Sequence, residues 1–204
     1  MFGKVAADVL GLSDIGSVIK PVDYDKVDVD DYVLHEDGEK IYFLIKSKSD
    51  EYCFTNQAFI HLDGQSATSK KRTLYRYDYF AHQISNVSLE TAGNIDLDVE
   101  IKFTLGSTHF SIDVHKKHLE ELKDLYKALL KIGQIARDNS TVLEFAKQSL
   151  QMASSTLSRN HSAEVNLVTE FKGINEVAFN WLLENQKKYN IRDFGHVFEL
   201  YINN

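Results

Sequence analysis

In Leu97-Asp98-Val99-Glu100-Ile101-Lys102-Phe103-Thr104-Leu105-Gly106-Ser107-Thr108-His109-Phe110-Ser111-Ile112-Asp113-Val114, apolar side chains recur at every second position on either side of Gly106-Ser107. Successive strand side chains point to opposite faces, so the stretch predicts two strands: one with Leu97, Val99, Ile101, Phe103 and Leu105 on a single face, the next with Phe110, Ile112 and Val114. From Lys116 the period changes. Leu119, Leu122, Tyr126, Leu129 and Ile132 follow at three- and four-residue steps, with Glu120, Glu121, Lys123, Asp124 and Lys127 on the other side. That spacing predicts an amphipathic helix over Lys116–Ile132, with Gly133 as its C-cap.

Upstream, Ile41-Tyr42-Phe43-Leu44-Ile45 and Tyr52-Cys53-Phe54 have the β-branched and aromatic composition of strands and flank the polar break Ser47 to Asp50, a hairpin pattern. Ala58-Phe59-Ile60 begins a third strand that ends at the turn pair Asp63-Gly64. In Arg72 to Tyr79 the alternation places Tyr75, Tyr77 and Tyr79 on one face, and a further strand is expected between Ala81 and Leu89. Seven short strands followed by one helix predict an α+β domain over residues 31–133, a small seven-stranded barrel or sandwich capped by its C-terminal helix.

Glu39-Lys40-Ile41, Tyr52-Cys53-Phe54-Thr55-Asn56, Tyr77-Asp78-Tyr79-Phe80 with Ile84, Glu90-Thr91-Ala92-Gly93 and Asp96-Leu97-Asp98-Val99-Glu100-Ile101 occur in the order that resembles the bacterial pleckstrin-homology domain family. The region from Thr141 to Asn204 resembles the YvbH-like oligomerisation region found attached to that domain, chiefly through Trp181 to Tyr201. The resemblance implies a pleckstrin-homology-type barrel, no enzymatic activity and cyclic homo-oligomers. It is imperfect: Ala58 stands where a basic residue is expected, and Tyr79-Phe80-Ala81 replaces a proline-containing turn.

The 204 residues carry a net charge of −7. Residues 1–115 hold 11 Lys+Arg against 19 Asp+Glu, and residues 116–204 hold 12 against 11, so the barrel is the acidic part. Nucleic acids and anionic bilayers attract basic surfaces, because each phosphate neutralised releases counterions, and a nucleic-acid partner is not expected. No apolar run of membrane-spanning length and no secretory leader pattern occurs, so the expected location is cytoplasmic, with peripheral membrane contact as the alternative. The single cysteine, Cys53, excludes an intrachain disulfide and reads as a small hydrophobe inside a strand.

Residues 1–30 read as a short amphipathic helix, Met1 to Leu10, and an acidic connector. The run Asp23, Asp25, Asp28, Asp30 and Asp31 lacks the glycine at the sixth position of a calcium-binding loop and is expected to be a solvated linker or to pair with a basic patch on a second subunit. The one basic concentration in the barrel, Lys70, Lys71, Arg72 and Arg76 after the Gly64 to Ser69 turn, is the candidate anion or lipid contact. His109, His115 and His118 with Asp113 do not have the spacing of a metal site, and neither a metal nor a cofactor is expected. No GxSxG elbow, P-loop, HExxH or dinucleotide fingerprint occurs, and no catalytic residues are assigned.

Residues 134–204 contain no proline and carry two apolar stripes, through Val142, Phe145, Ala146, Leu150 and Leu157 and through Val165, Val168, Phe171, Ala178, Trp181 and Leu182, joined by the polar patch Ser158 to Ser162. The reading is an antiparallel helical hairpin followed by a short helix between Ile191 and Ile202. So small a hairpin buries little by itself, and Phe171, Phe179, Trp181, Phe194, Phe198 and Tyr201 are the candidate oligomer interface. The leading expectation is thus a non-enzymatic, self-assembling domain whose principal partner is itself. A membrane-peripheral or lipid- or anion-binding adaptor using the basic turn is the first alternative and a cryptic hydrolase or metal-binding protein the second; a protein partner is a separate expectation.

Overall fold

The computed structural model describes residues 15–64, 71–91, 98–157 and 167–202. The expected N-terminal helix, most of the Gly64 to Ser69 turn with Lys70, the Ala92-Gly93 motif and the Ser158 to Ser162 patch lie outside these residues. The chain forms two compact units, one of residues 1–134 together with 192–204 and the other of residues 135–191.

The first unit is built on eight strands: β1 (Ser17–Val18), β2 (Ile41–Lys46), β3 (Glu51–Thr55), β4 (Ala58–Gly64), β5 (Arg72–Asp78), β6 (Ile84–Glu90), β7 (Asp98–Leu105) and β8 (Thr108–His115). All pairings between them are antiparallel, in one sheet ordered β1-β2-β3-β4-β5 and a second ordered β6-β7-β8. The seven expected strands are present, and β1 is an addition too short to show an alternation. Next to it, Gly16 ties the sheets together: its N–H donates to the Asp113 carbonyl at 2.8 Å and its carbonyl accepts from His115 N–H at 2.9 Å. A Cβ there would lie 2.6 Å from Ile45 Cγ2, so this close approach requires glycine.

Between the sheets, period-two alternation delivers Phe54 and Phe59 from the first and Phe103 and Phe110 from the second into one aromatic cluster. Phe59 meets Phe103 edge-on at 5.3 Å and Phe110 at 4.8 Å, the perpendicular arrangements that ring quadrupoles favour. Tyr75 and Tyr77 share this face, but Tyr79 lies beyond β5 in the following turn and packs elsewhere.

The outer face of the first sheet is covered by the acidic segment, which corrects the reading of it as a linker. Pro21–Lys26 and Asp28–Tyr32 are 3-10 turns whose aspartates lie outward while Val27, Val29 and Val33 pack on Leu44, Cys53, Ile60 and Leu62. Burial makes Cys53 an inert hydrophobe and pushes its thiol pKa well above the ordinary value.

After a 3-10 turn at Lys116–His118, helix α1 runs unbroken from Leu119 to Leu157. Its first part buries Leu122, Leu125, Ala128, Leu129 and Ile132, while Tyr126 sits half-buried at the margin. Gly133 is not a C-cap. It is an interior helical position pressed against β6, where a Cβ would fall 2.6 Å from the Ile84 carbonyl oxygen.

The second unit contains the rest of α1 and helix α2 (Leu167–Tyr189). The expected terminal helix is α3 (Gly195–Ile202), and it belongs to the first unit rather than extending a hairpin.

Candidate functional site

The basic turn does not offer its arginines to an anion. Arg72 Nη1 binds Asp28 and lies 3.7 Å from the buried Glu51, which also pairs with Lys46 and accepts from Val29 N–H at 2.7 Å. Arg76 spans Glu39 at 2.9 Å and Asp78 at 2.8 Å. Thus two of the four candidate cations are consumed by carboxylates of the same chain; Lys71 is exposed at the edge of β5, and Lys70 lies outside the described residues. The pairing holds the first sheet to its acidic cover, because Asp28 and Val29 are in that cover.

Glu39 shows how these contacts act on charge. Burial works to raise its pKa, but hydrogen bonds from Arg76, Thr55 and the Leu34 N–H, with the Arg76 charge, outweigh it and hold the carboxyl below its ordinary value. The same Thr55 Oγ1 accepts from Ala58 N–H at 2.9 Å and fixes the β3–β4 turn.

Beside it, Asn56 receives the C-terminal segment. Its carbonyl accepts from Phe194 N–H at 2.7 Å, its Nδ2 donates to Asp193 at 2.7 Å, and its Oδ1 accepts from Lys40 N–H at 2.8 Å. Asp193 also accepts from Gly195 N–H at 2.7 Å, starting α3. Tyr42 stacks on Phe198 at 5.3 Å and donates to Glu199 at 2.9 Å, while Tyr79 meets Phe194 edge-on at 6.0 Å. Arg192 lies over the Phe80 ring at 4.7 Å. Phe194 and Phe198 are consequently 1% and 0% exposed, which removes them from the candidate oligomer interface: the barrel of their own chain covers them. Tyr201 is half-buried on the same short helix.

A grouping that spacing alone did not single out lies at one end of the aromatic cluster. Asp50, His61 and Asp63 place ligand-type atoms within 4.8 Å of one another. The signal available in the sequence was His61-x-Asp63 on one strand; Asp50 joins them only through the register of the β3–β4 pair. The histidines considered from sequence do not converge: His109 bonds Thr104, His115 accepts from Lys117 N–H, and His118 bonds Glu121.

In the second unit the apolar stripes are exposed. Phe145, Met152, Val168, Phe171, Val177 and Phe179 are each 62–72% accessible, and Trp181 is half-buried. Phe171, Phe179 and Trp181 are what remains of the predicted interface on this unit.

Comparison with known proteins follows the same division. Residues 9–133 match the family model for the bacterial PH domain. The chain belongs to that family. A second match, to the YvbH-like oligomerisation region, covers residues 144–204. The chain is 59% identical over 204 residues to the protein YvbH of Bacillus subtilis (strain 168), covering all of both chains. It is 33% identical over 94 residues to YjqA of the same organism, 46% of this chain and 74% of that one. The crystal structure of a PH-domain-containing bacterial protein from Exiguobacterium sibiricum 255-15 superposes with a TM-score of 0.86 at 54% identity, over 93% of this chain and all of that one. The bacterial PH domain motif residues quoted above thus acquire physical roles here: Glu39 and Thr55 bind each other, Asn56 docks the C-terminal segment, and Tyr79 forms the surface that receives it. Ala58, at the position where a basic residue was expected, is buried among Val29, Cys53 and Ile60, and no cation stands there.

Proposed function

We propose that this bacterial PH domain is a non-enzymatic interaction module that assembles into a cyclic homo-oligomer through its second unit. The observation that carries the reading is the exposed apolar surface of α1 beyond Ile135 and of α2. Val177 and Phe179 are 70% and 64% exposed; two residues apart, they point about 160° from each other around the helix. One flat neighbour covers one of them. A ring supplies two neighbours to every subunit, and its head-to-tail contact uses two different faces of the same element.

The magnitudes are compatible. A large apolar side chain taken fully out of water contributes about 1.5–3 kcal/mol. A handful of them offsets an association cost of about 4–15 kcal/mol. The family match to an oligomerisation region over 144–204 supports the same segment. No helix among the described residues is long and apolar enough to cross a membrane, so these side chains are not explained as a span.

Light scattering on a size-exclusion column tests the proposal. The full chain is expected as a discrete multiple of 23.3 kDa that persists through tenfold dilution. Phe171→Asp combined with Phe179→Asp is expected to lower the mass towards one subunit without lowering the melting temperature of the barrel. A monomeric full chain, or a double variant of unchanged mass, overturns the assignment.

A further inference from the structure

Asp50, His61 and Asp63 lie on one face of the β3–β4 pair. Register pairs Tyr52 with His61 and Glu51 with Leu62, so the next position along sets Asp50 opposite Asp63. Two carboxylates directly opposed on an antiparallel pair repel, and a sheet ordinarily relieves such a pair with a basic neighbour. Two basic side chains nearby are committed elsewhere. Lys46 and Arg72 are turned to the other face, where they bind Glu51 and Asp28. Among the described residues, no Lys or Arg forms a salt bridge with Asp50 or Asp63; the Asp50 carboxylate is met by His61 Nε2 at 3.3 Å and by hydrogen bonds from Ser49 Oγ and the Gly64 N–H.

The donors are held in place. Asp50 ends a turn closed by Ser47 N–H to the Asp50 carbonyl at 2.8 Å and by Asp50 N–H to Ser47 Oγ at 3.0 Å. Ser49 Oγ donates to its carboxylate at 2.6 Å. Gly64 brings the end of β4 so near that a Cβ there would collide with the Ser49 carbonyl oxygen. The His61 ring is stacked on Tyr52 at 4.6 Å and on Tyr75 at 6.1 Å, which fixes its plane. The His61 and Asp50 side chains are 15% and 21% exposed, open enough to exchange water for an ion and covered enough to stay ordered.

We propose that Asp50, His61 and Asp63 form a binding site for a divalent transition metal ion of the Zn²⁺ or Mn²⁺ type. Imidazole nitrogen favours such ions over Mg²⁺ and Ca²⁺, while two carboxylates neutralise the dication. Ligands at about 2.0–2.2 Å from zinc stand about 3.4 Å apart in a tetrahedron. The donor atoms, already within 4.8 Å of one another, reach that spacing by rotation of the aspartate side chains. Three protein ligands leave a coordination position open to water or to an exogenous anion. The bound ion replaces carboxylate repulsion by two attractive contacts and pins the β2–β3 turn to the end of β4.

The test is calorimetric titration of chelator-stripped full-length protein at neutral pH with ZnCl₂ and MnCl₂, and in parallel with MgCl₂ and CaCl₂. One equivalent of Zn²⁺ or Mn²⁺ is expected per chain, with Kd raised at least tenfold by His61→Gln and by Asp63→Asn, and unchanged by His109→Gln. Both substitutions preserve side-chain size, and unchanged circular dichroism confirms that folding is retained. Absence of stoichiometric uptake, affinity indifferent to both substitutions, or Mg²⁺ or Ca²⁺ binding as tight as Zn²⁺ each overturns the proposal.

Discussion

Glu39 has no charged neighbour in sequence that explains it, yet it is 1% exposed and accepts from three groups, one of them Arg76, 37 residues away. Replacing it by Gln keeps the shape and removes the charge that Arg76 answers. Hydrogen bonds to charged groups are worth about 1.5–3 kcal/mol, so Glu39→Gln is expected to lower the unfolding free energy by about 2 kcal/mol in urea denaturation. The pH dependence follows from the depressed carboxyl. The folded state holds this proton less tightly than the unfolded chain, so protonation favours unfolding. Its contribution is complete above the ordinary value of 4.5 and is lost as pH falls from there through the folded pKa. Midpoints measured at neutral pH and through the acid range should therefore converge for wild type and Glu39→Gln as the pH drops; a constant separation would remove Glu39 from the acid response. The same residue scale is where the sequence was least readable. Counting Lys and Arg located the positive charge but not its partners, because Asp28 reaches Arg72 from the acidic cover, Glu39 reaches Arg76 from the loop before β2, and Glu51 reaches Arg72 from β3, all through tertiary folding.

Elements were far more legible, since a period of two or of about 3.6 is local information. The seven strands follow from side-chain alternation, β-type composition and turn signals, and the onset of the helix near Lys116 from the change of period; among the described residues the structure adds β1, which has two residues. What periodicity misjudged was the extent of α1, because glycine after an apolar stripe resembles a terminator. Gly133 and Gly173 make the distinction measurable, for both are interior helical glycines in opposite surroundings. A Cβ at 133 meets the Ile84 carbonyl at 2.6 Å, a backbone atom that cannot swing aside, whereas at 173 nothing lies within 4 Å. Alanine gains about 1 kcal/mol of helix propensity at either position. At 133 overpacking of about 1–3 kcal/mol opposes that gain, so Gly133→Ala is expected to destabilise by about 1 kcal/mol. Gly173→Ala is expected to stabilise α2 by up to about 1 kcal/mol, read as increased helicity or amide protection in that helix. Two shifts of the same sign would contradict the packing account.

At the scale of the whole molecule, the chain returns to its own barrel after the helical unit, and no local pattern announces that return. Tyr42 to Glu199 spans 157 residues and Asn56 to Asp193 spans 137, so Phe194 and Phe198 read from sequence as free apolar surface when they are interior. The distinction changes how assembly must be dissected. Ending the chain after Gly133 removes the candidate interface and, with it, Phe194 and Phe198, which uncovers Tyr42 and the fully buried Tyr79. Loss of a buried aromatic side chain costs about 3–5 kcal/mol, a large share of the about 5–15 kcal/mol that holds a domain of this kind together. Such a truncation is expected to melt lower and to aggregate, and its mass then reports unfolding instead of assembly. Phe198→Ala separates the two effects, because it cuts into the barrel while leaving Phe171 and Phe179 untouched. It is expected to lower stability by about 3–5 kcal/mol in denaturant titration. The same variant should keep the oligomeric mass of the full chain under native conditions. A Phe198→Ala protein that dissociates while still folded would instead place α3 in the subunit contact, and the burial of Phe198 within its own chain would have to give way when subunits meet.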